Sequence, residues 1–264
     1  MNKENPLITI VTPSYNQGKY IEETIQSVLN QTYKNIEYII IDGCSNDETE
    51  DILKKYREYK NIKIIIEKDN GQTEAINKGF KMAKGELIGW INSDDILKYD
   101  CVENIVEAYK LNQDATVFYG YIDFIDEQSN KCYTKKIGDL EYNYLLNVNP
   151  DINQQGSFYL AKRVKEINYL DEKINFTMDY DLWLRLLKNN NGVNLHKIVG
   201  EFRIQYQSKT MTNGNAIKFW KDIFNIRKEK HYNQCKRISR IQFRFIRWCI
   251  YAGLRRMGIN LKFE

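Results

Sequence analysis

Residues 86–97 read ELIGWINSDDIL, and the fold is decided there. Leu87, Ile88, Trp90 and Ile91 form a short apolar run, the pattern of a buried strand. The run stops at Asn92-Ser93-Asp94-Asp95. Two adjacent carboxylates at the carboxyl end of a buried strand are costly unless positive charge sits beside them. In an open parallel sheet that position faces the ligand crevice. The simplest partner is a divalent cation with hard oxygen ligands, accompanied by a diphosphate. The competing reading makes Asp94 and Asp95 caps for a helix that starts near Lys98.

Upstream, the same unit recurs. Residues 7–12, LITIVT, are apolar and β-branched and predict a first strand. Pro13 to Gly18 is turn chemistry, and Ile21, Ile25, Val28 and Leu29 then follow the spacing of one helix face. Residues 36–41, IEYIII, predict a second strand ending at Asp42, before a glycine turn and a helix through Ile52, Leu53 and Tyr56. Asp42 either points its carboxylate into the crevice or stabilises its own turn. Residues 62–66, IKIII, predict a third strand, followed by a polar loop and a helix through Ala75, Ile76, Phe80 and Met82, with Gly85 as its C-cap. Three strand–loop–helix units leading into residues 86–97 predict a doubly wound α/β sheet, mostly parallel, with its polar loops along one edge.

Downstream, a helix is expected from about Asp100 to Leu111, a strand over 115–125 and another over 157–161. Residues 130–149, rich in Tyr, Lys and Asn, have no clear periodicity. In FTMDYDLWLRLL, residues 176–187, Leu182, Trp183, Leu186 and Leu187 share a helix face, and Asp179 and Asp181 fall in its first turn. Those acids either complement the helix dipole or include a catalytic base. From Ala216 the chain reads as helical, and residues 236–256 carry six arginines among Ile238, Ile241, Phe245, Trp248 and Leu254. That basic amphipathic pattern suits an anionic membrane surface, or a helix docked on its own domain with solvated charges. The expected domains are therefore 1–214, split into a nucleotide-binding part (1–97) and an acceptor and catalytic-base part (98–214), and a basic tail over 215–264.

The 264 residues are 42% hydrophobic and 28% charged, with a net charge of +4, too mild to argue for nucleic acid. Two histidines exclude a multi-His metal site, and five scattered cysteines without a CxxC pair suggest neither zinc nor a disulfide framework. No apolar stretch reaches the length that spans a membrane, and no signal peptide is visible. A reduced, cytoplasmic setting is the expectation, with peripheral attachment to the inner face of the plasma membrane if the tail binds lipid.

Four blocks together, VTPSYNQGKYIEETIQSVLNQTY (11–33), YIIIDGCSNDETEDIL (38–53), EKDNGQTEAINKGFKMAKGELIGWINSDD (67–95) and MDYDLWLRL (178–186), strongly resemble glycosyltransferase family 2. The resemblance covers roughly residues 7–210. It implies the GT-A fold and an inverting enzyme that moves a sugar from a nucleotide-diphosphate sugar, a UDP-sugar first among them, to a glycan or lipid-linked acceptor hydroxyl in surface polysaccharide assembly. By position it implies that Pro13, Tyr15 and Asp42 line the base pocket, and that Asp69, Asn77 and Lys78 lie near the nucleotide and sugar. Asp94 and Asp95 serve the ribose and a divalent metal, Mn2+ or Mg2+, and Asp179 is the general base. Arg203 and the Ser208-Lys209-Thr210 loop close over the diphosphate. Three positions depart from the family pattern: Asn92 at the first acid of the metal motif, Met178 before the base, and Gln205 where a metal-holding His often stands. They leave room for a catalytically weak nucleotide-sugar-binding protein. A nucleotidyltransferase is the other alternative, though PSYNQGKY has only one Gly and one Lys for a phosphate loop.

Overall fold

A computed structural model describes residues 5–174, 176–205 and 215–230. The first half consists of β1 (Ile8–Ser14), α1 (Ile21–Leu29), β2 (Ile36–Asp42), α2 (Thr49–Lys54), β3 (Ile62–Ile66), α3 (Gln72–Met82) and β4 (Leu87–Trp90). All four strands run parallel in the order β3-β2-β1-β4. Ser14 lies opposite Asp42, and Asp42 opposite Ile66, so the strands end level and their loops share one edge. Every residue of β1 is buried, because helices cover both faces of this part of the sheet. Helix α3 rides so close to β1 that a Cβ on Gly79 would meet a Val11 methyl at 2.5 Å.

Gly85 does not cap α3. The helix ends at Met82 with Ala83 in the cap position, and Gly85 instead packs on Thr9, where a Cβ would meet the Thr9 backbone nitrogen at 2.5 Å. Nor do Asp94 and Asp95 cap a helix. They are followed by a two-residue strand, β5 (Ile96–Leu97), and α4 (Cys101–Leu111) starts only after Asp100.

The second half consists of β6 (Ala115–Ile125), β7 (Lys131–Lys135), α5 (Tyr142–Asn147), β8 (Phe158–Leu160), α6 (Ala161–Glu166), α7 (Met178–Leu187), β9 (Asn191–Arg203) and α8 (Asn215–Lys230). Beyond β4 the pairing becomes mixed: β4-β8 and β8-β6 are antiparallel, β6-β9 is parallel, and β9-β5 is antiparallel. β7 hangs on β6 as a hairpin. The strand order thus runs β3-β2-β1-β4-β8-β6-β9-β5. β4 and β5 are neighbours in the chain yet separated by three strands in the sheet. The sheet curls, and the turn holding Asp94 and Asp95 joins its middle to its far edge.

Two apolar layers flank the sheet. On one face, α1, α2 and α4 bury Ile21, Ile25, Leu53 and Ile105. On the other, α3 and α7 cover an aromatic stack of Trp90, Tyr159, Trp183 and Tyr119, in which the Trp183 indole N–H donates to the Tyr159 hydroxyl at 3.0 Å.

The start of the expected tail belongs to this body. Ile223 and Ile226 of α8 are buried in the α7 layer, and Arg227 donates to Tyr180 Oη (2.8 Å) and the Leu145 carbonyl (2.9 Å). The arginine-rich stretch over 236–256 lies outside the described residues. Among those residues no helix is long and apolar enough to cross a membrane.

Candidate functional site

The level strand ends of the parallel half open into a cavity of about 1180 Å³, closed on the other side by the start of α7, the end of β9 and Phe219 of α8. Of the residues expected at a site, Pro13, Tyr15, Asp69, Asp94, Asp179 and Arg203 reach its wall. Ser14 is on the wall too, and its buried hydroxyl has no hydrogen-bond partner among the described residues.

At one end, Tyr15 stands exposed beside Gly43 and Asp69. Asp69 accepts the Gly71 N–H at 2.9 Å, and burial raises its carboxyl above the ordinary range. Asp42 is set back from the cavity. It lies beneath this wall, wholly buried, and accepts both the backbone N–H (2.9 Å) and the hydroxyl (2.6 Å) of Ser45. The turn-stabilising alternative describes its contacts.

Asn77 and Lys78 also stand off the cavity wall. The Asn77 amide bonds the Leu170 N–H and carbonyl, each at 3.0 Å, and the Glu172 carboxylate at 2.9 Å, so it ties α3 to the segment before α7. Lys78 pairs with Glu67 (3.1 Å) and Glu74 (3.3 Å) outside the cavity.

At the other end sit the paired acids, and the structure separates their roles. Asp95 is 1% exposed, and its carboxylate accepts the Arg203 N–H (3.0 Å), the Asn92 amide (3.0 Å) and the Gln155 amide (3.1 Å). With three donors around it, Asp95 shapes the turn, while Asp94 is the one of the pair on the cavity wall. Asp94 faces the cavity and accepts the Gln205 amide at 2.7 Å. Burial raises both carboxyls, and the charge of Asp94 raises Asp95 further.

Arg203 does not neutralise them by direct pairing. Its guanidinium is buried over the Tyr20 ring and donates to the Asp94 carbonyl (2.9 Å), the Asp126 carbonyl (3.2 Å), Ser129 Oγ (2.8 Å) and Glu23 (2.5 Å). It is a strut holding the turn, on the wall of the cavity. Lys209 and the rest of the Ser208-Lys209-Thr210 loop lie outside the described residues.

The two acids of α7 diverge as well. Asp181 is wholly buried, bonded to Arg185 Nε and Lys230 Nζ, each at 2.8 Å, and so pins α8 to α7. Breaking a buried charge pair from one side costs about 3–5 kcal/mol, less where the orphaned partner can reach water. Both cations here are partly exposed. Asp181→Ala is expected to lower the urea unfolding free energy by about 2–3 kcal/mol, with nucleotide affinity unchanged because Asp181 does not face the cavity. Asp179, two residues earlier, is on the cavity wall. It accepts the Tyr180 N–H at 2.8 Å, and burial pushes its carboxyl up to about 6 against that bond and the positive charge of Lys135. An acid so poised can take a proton near neutral pH.

Sequence reading did not single out four residues on the wall: Lys19, Lys68, Phe176 and Phe219, the last two lining the same cavity as Met178 and Asp179. Phe219 comes from a helix some forty residues beyond the base, and no local pattern links the two.

The sequence model of Glycosyl transferase family 2 matches residues 9–184. The uncharacterized glycosyltransferase RP339 of Rickettsia prowazekii is 31% identical over 232 residues, covering 85% of this chain and 72% of its own length. The putative teichuronic acid biosynthesis glycosyltransferase TuaG of Bacillus subtilis is 28% identical over 262 residues, 94% of this chain and 95% of that one. Among solved structures, S. aureus TarS 1–349 in complex with UDP-GlcNAc superposes with a TM-score of 0.66 at 18% identity, over 83% of this chain and 65% of that one. The mannosyltransferase PcManGT of Pyrobaculum calidifontis, in complex with GDP-Man and Mn2+, superposes with a TM-score of 0.62 at 15% identity, over 83% of this chain and 63% of that one.

Proposed function

Since the chain belongs to glycosyltransferase family 2 and has the fold of GT-A enzymes, we propose that it transfers a sugar, with inversion, from a nucleotide-diphosphate sugar to an acceptor hydroxyl. One observation carries this reading: Asp94, at a strand end, and Asp179, a raised carboxyl at a helix start, line one cavity from opposite halves of the molecule.

In the proposed reaction the acceptor oxygen attacks the anomeric carbon. The bond from that carbon to the diphosphate oxygen breaks, and its electron pair leaves on the phosphate. The acceptor proton passes to a carboxylate oxygen of Asp179. A single displacement, with no enzyme nucleophile, inverts the anomeric centre. Tyr15 and Pro13 flank the nucleoside, beside Asp69. Phe176, Met178 and Phe219 give the acceptor an apolar wall next to the base.

A divalent ion fits the Asp94 end. Two raised carboxyls there lack a cation paired to either carboxylate among the described residues, and Arg203 spends its bonds elsewhere. Asp94 would hold the ion, with Gln205 beside it, and substrate oxygens would complete the shell, as hard cations with few protein ligands prefer. When bound, it would neutralise charge gathering on the departing diphosphate. The Mn2+ in PcManGT supports this choice.

UDP-GlcNAc in TarS and GDP-Man in PcManGT support a uridine or guanosine donor, with UDP the first choice. TuaG, similar over its whole length, supports a cell-surface polymer as the acceptor pathway. A lipid-linked acceptor, met at the cytoplasmic face of the membrane, suits the basic sequence of residues 236–256.

A thermal-shift panel of nucleoside diphosphates and their sugars, with and without Mn2+, tests the reading. Stabilisation by one nucleotide series, larger with Mn2+, is expected. No shift with any of them, together with no donor hydrolysis, would refute it.

A further inference from the structure

Nucleoside diphosphates bring two or more negative charges into a cavity whose Asp94 end already holds raised carboxyls. Among the described residues, three basic side chains reach the wall: Lys19, Lys68 and Arg203. Arg203 is committed to the turn. Lys68 stands next to Asp69, at the Gly43 end. Lys19 stands at the other end: its ammonium lies 4.7 Å from the centroid of the Tyr20 ring, the ring that Arg203 also covers at 4.7 Å while bonding the Asp94 carbonyl.

Lys19 is held there by an acid. Its ammonium bonds Glu127 at 2.9 Å, with the two side chains 60% and 32% exposed. Glu127 sits on the turn between β6 and β7, which Arg203 fixes through Asp126 and Ser129. The pair therefore joins the loop after β1 to the far half of the sheet across the cavity wall, where Glu127 would repel a diphosphate. An exposed ion pair of this kind is screened by water and holds only weakly. A phosphate group, with more charge and more acceptor oxygens, outcompetes a single carboxylate for the ammonium.

We propose that Lys19 and Glu127 form a charge exchange that admits the diphosphate. Glu127 keeps the ammonium in place before donor binding. On binding, the ammonium moves to a phosphate oxygen and the Glu127 carboxylate turns to water. No proton is transferred. This assigns Lys19 as a phosphate contact and Glu127 as the competing carboxylate that it leaves, and it rests on the nucleotide-sugar reading above.

The test is calorimetric titration of UDP, GDP, ADP, CDP and TDP, and of the matching nucleosides, into the full chain, with Mn2+ present. For whichever diphosphate binds the wild type, Lys19→Met is expected to weaken affinity by about tenfold and leave the nucleoside unaffected. Glu127→Gln is expected to tighten the diphosphate, because the competitor is gone, and to lose that gain when combined with Lys19→Met. Thermal midpoints should stay at the wild-type value, since the pair is exposed. If the wild type binds a diphosphate and Lys19→Met binds it equally well, or Glu127→Gln weakens it, the exchange is overturned while the transferase reading stands. If the wild type binds none of the five, the nucleotide reading fails, and the exchange with it.

Discussion

Asp179→Asn is expected to lower turnover by about 10²–10⁴-fold, the usual contribution of a positioned proton acceptor, with donor affinity at the wild-type value. The amide has nearly the shape of the carboxylate and cannot take the acceptor's proton. Single-turnover transfer and nucleotide titration on the same sample separate the two quantities, and wild-type turnover in the variant would remove Asp179 from the base role. The pH dependence follows from the same group. Its carboxyl titrates at about 6 in the fold, and the base works only when deprotonated, so transfer should fall as pH drops through about 6 and level off above it. Stability should move the other way. A carboxyl raised on folding favours the protonated native state, so its contribution is fully present below pH 3.8, its ordinary value, and is lost as pH rises through about 6. Asp179→Asn should therefore raise the melting temperature at pH 8 and leave it unchanged near pH 3. A variant more stable and inactive is the signature of a group held in a costly state for its chemistry.

Asp94→Asn is expected to abolish the Mn2+ dependence of diphosphate affinity and to reduce turnover by about 10²–10³-fold, the scale of losing one preorganised charge contact. Titrating Mn2+ at fixed nucleotide reads this directly, and an unchanged Mn2+ response would count against Asp94 as the ion's ligand. Its neighbour should behave differently. In Asp95→Asn one carboxylate oxygen becomes an NH2 group facing the Arg203 N–H or the Asn92 and Gln155 amides, all donors. The turn then loses a partner and gains a donor–donor clash, so the melting temperature falls. Adjacent acids thus separate into one read by metal titration and one read by unfolding.

The parallel half was legible because its information is local. Strands β1 to β4 are apolar or β-branched runs, each bounded by turn residues and followed by helical spacing. The strand ends located the cavity, and the first turn of α7 located Asp179 on its wall, the acid proposed as base. What stayed illegible depends on partners distant in the chain. β9 reads NGVNLHKIVGEFR, with eight exposed or half-buried residues in a row over 191–198, and only pairing to β6 makes it a strand. Choosing Asp179 over Asp181 requires knowing that Lys230 reaches Asp181. Choosing Asp94 over Asp95 requires Gln155 and Arg203, both far along the sequence. Asn77 and Arg203 matched motif positions, yet their bonds go to packing, since a buried amide or guanidinium must satisfy its own polar atoms first.

The turn that carries Asp94 is clamped by Arg203, 108 residues further along. In a chain made from its amino terminus, β1 to β4 are synthesised long before that residue, so the Tyr15 and Asp69 wall of the cavity is made while its Asp94 end still lacks its clamp. The Asp94 turn thereby acquires its clamp only once β9 has been added, and a product cut short ahead of Arg203 would lack it.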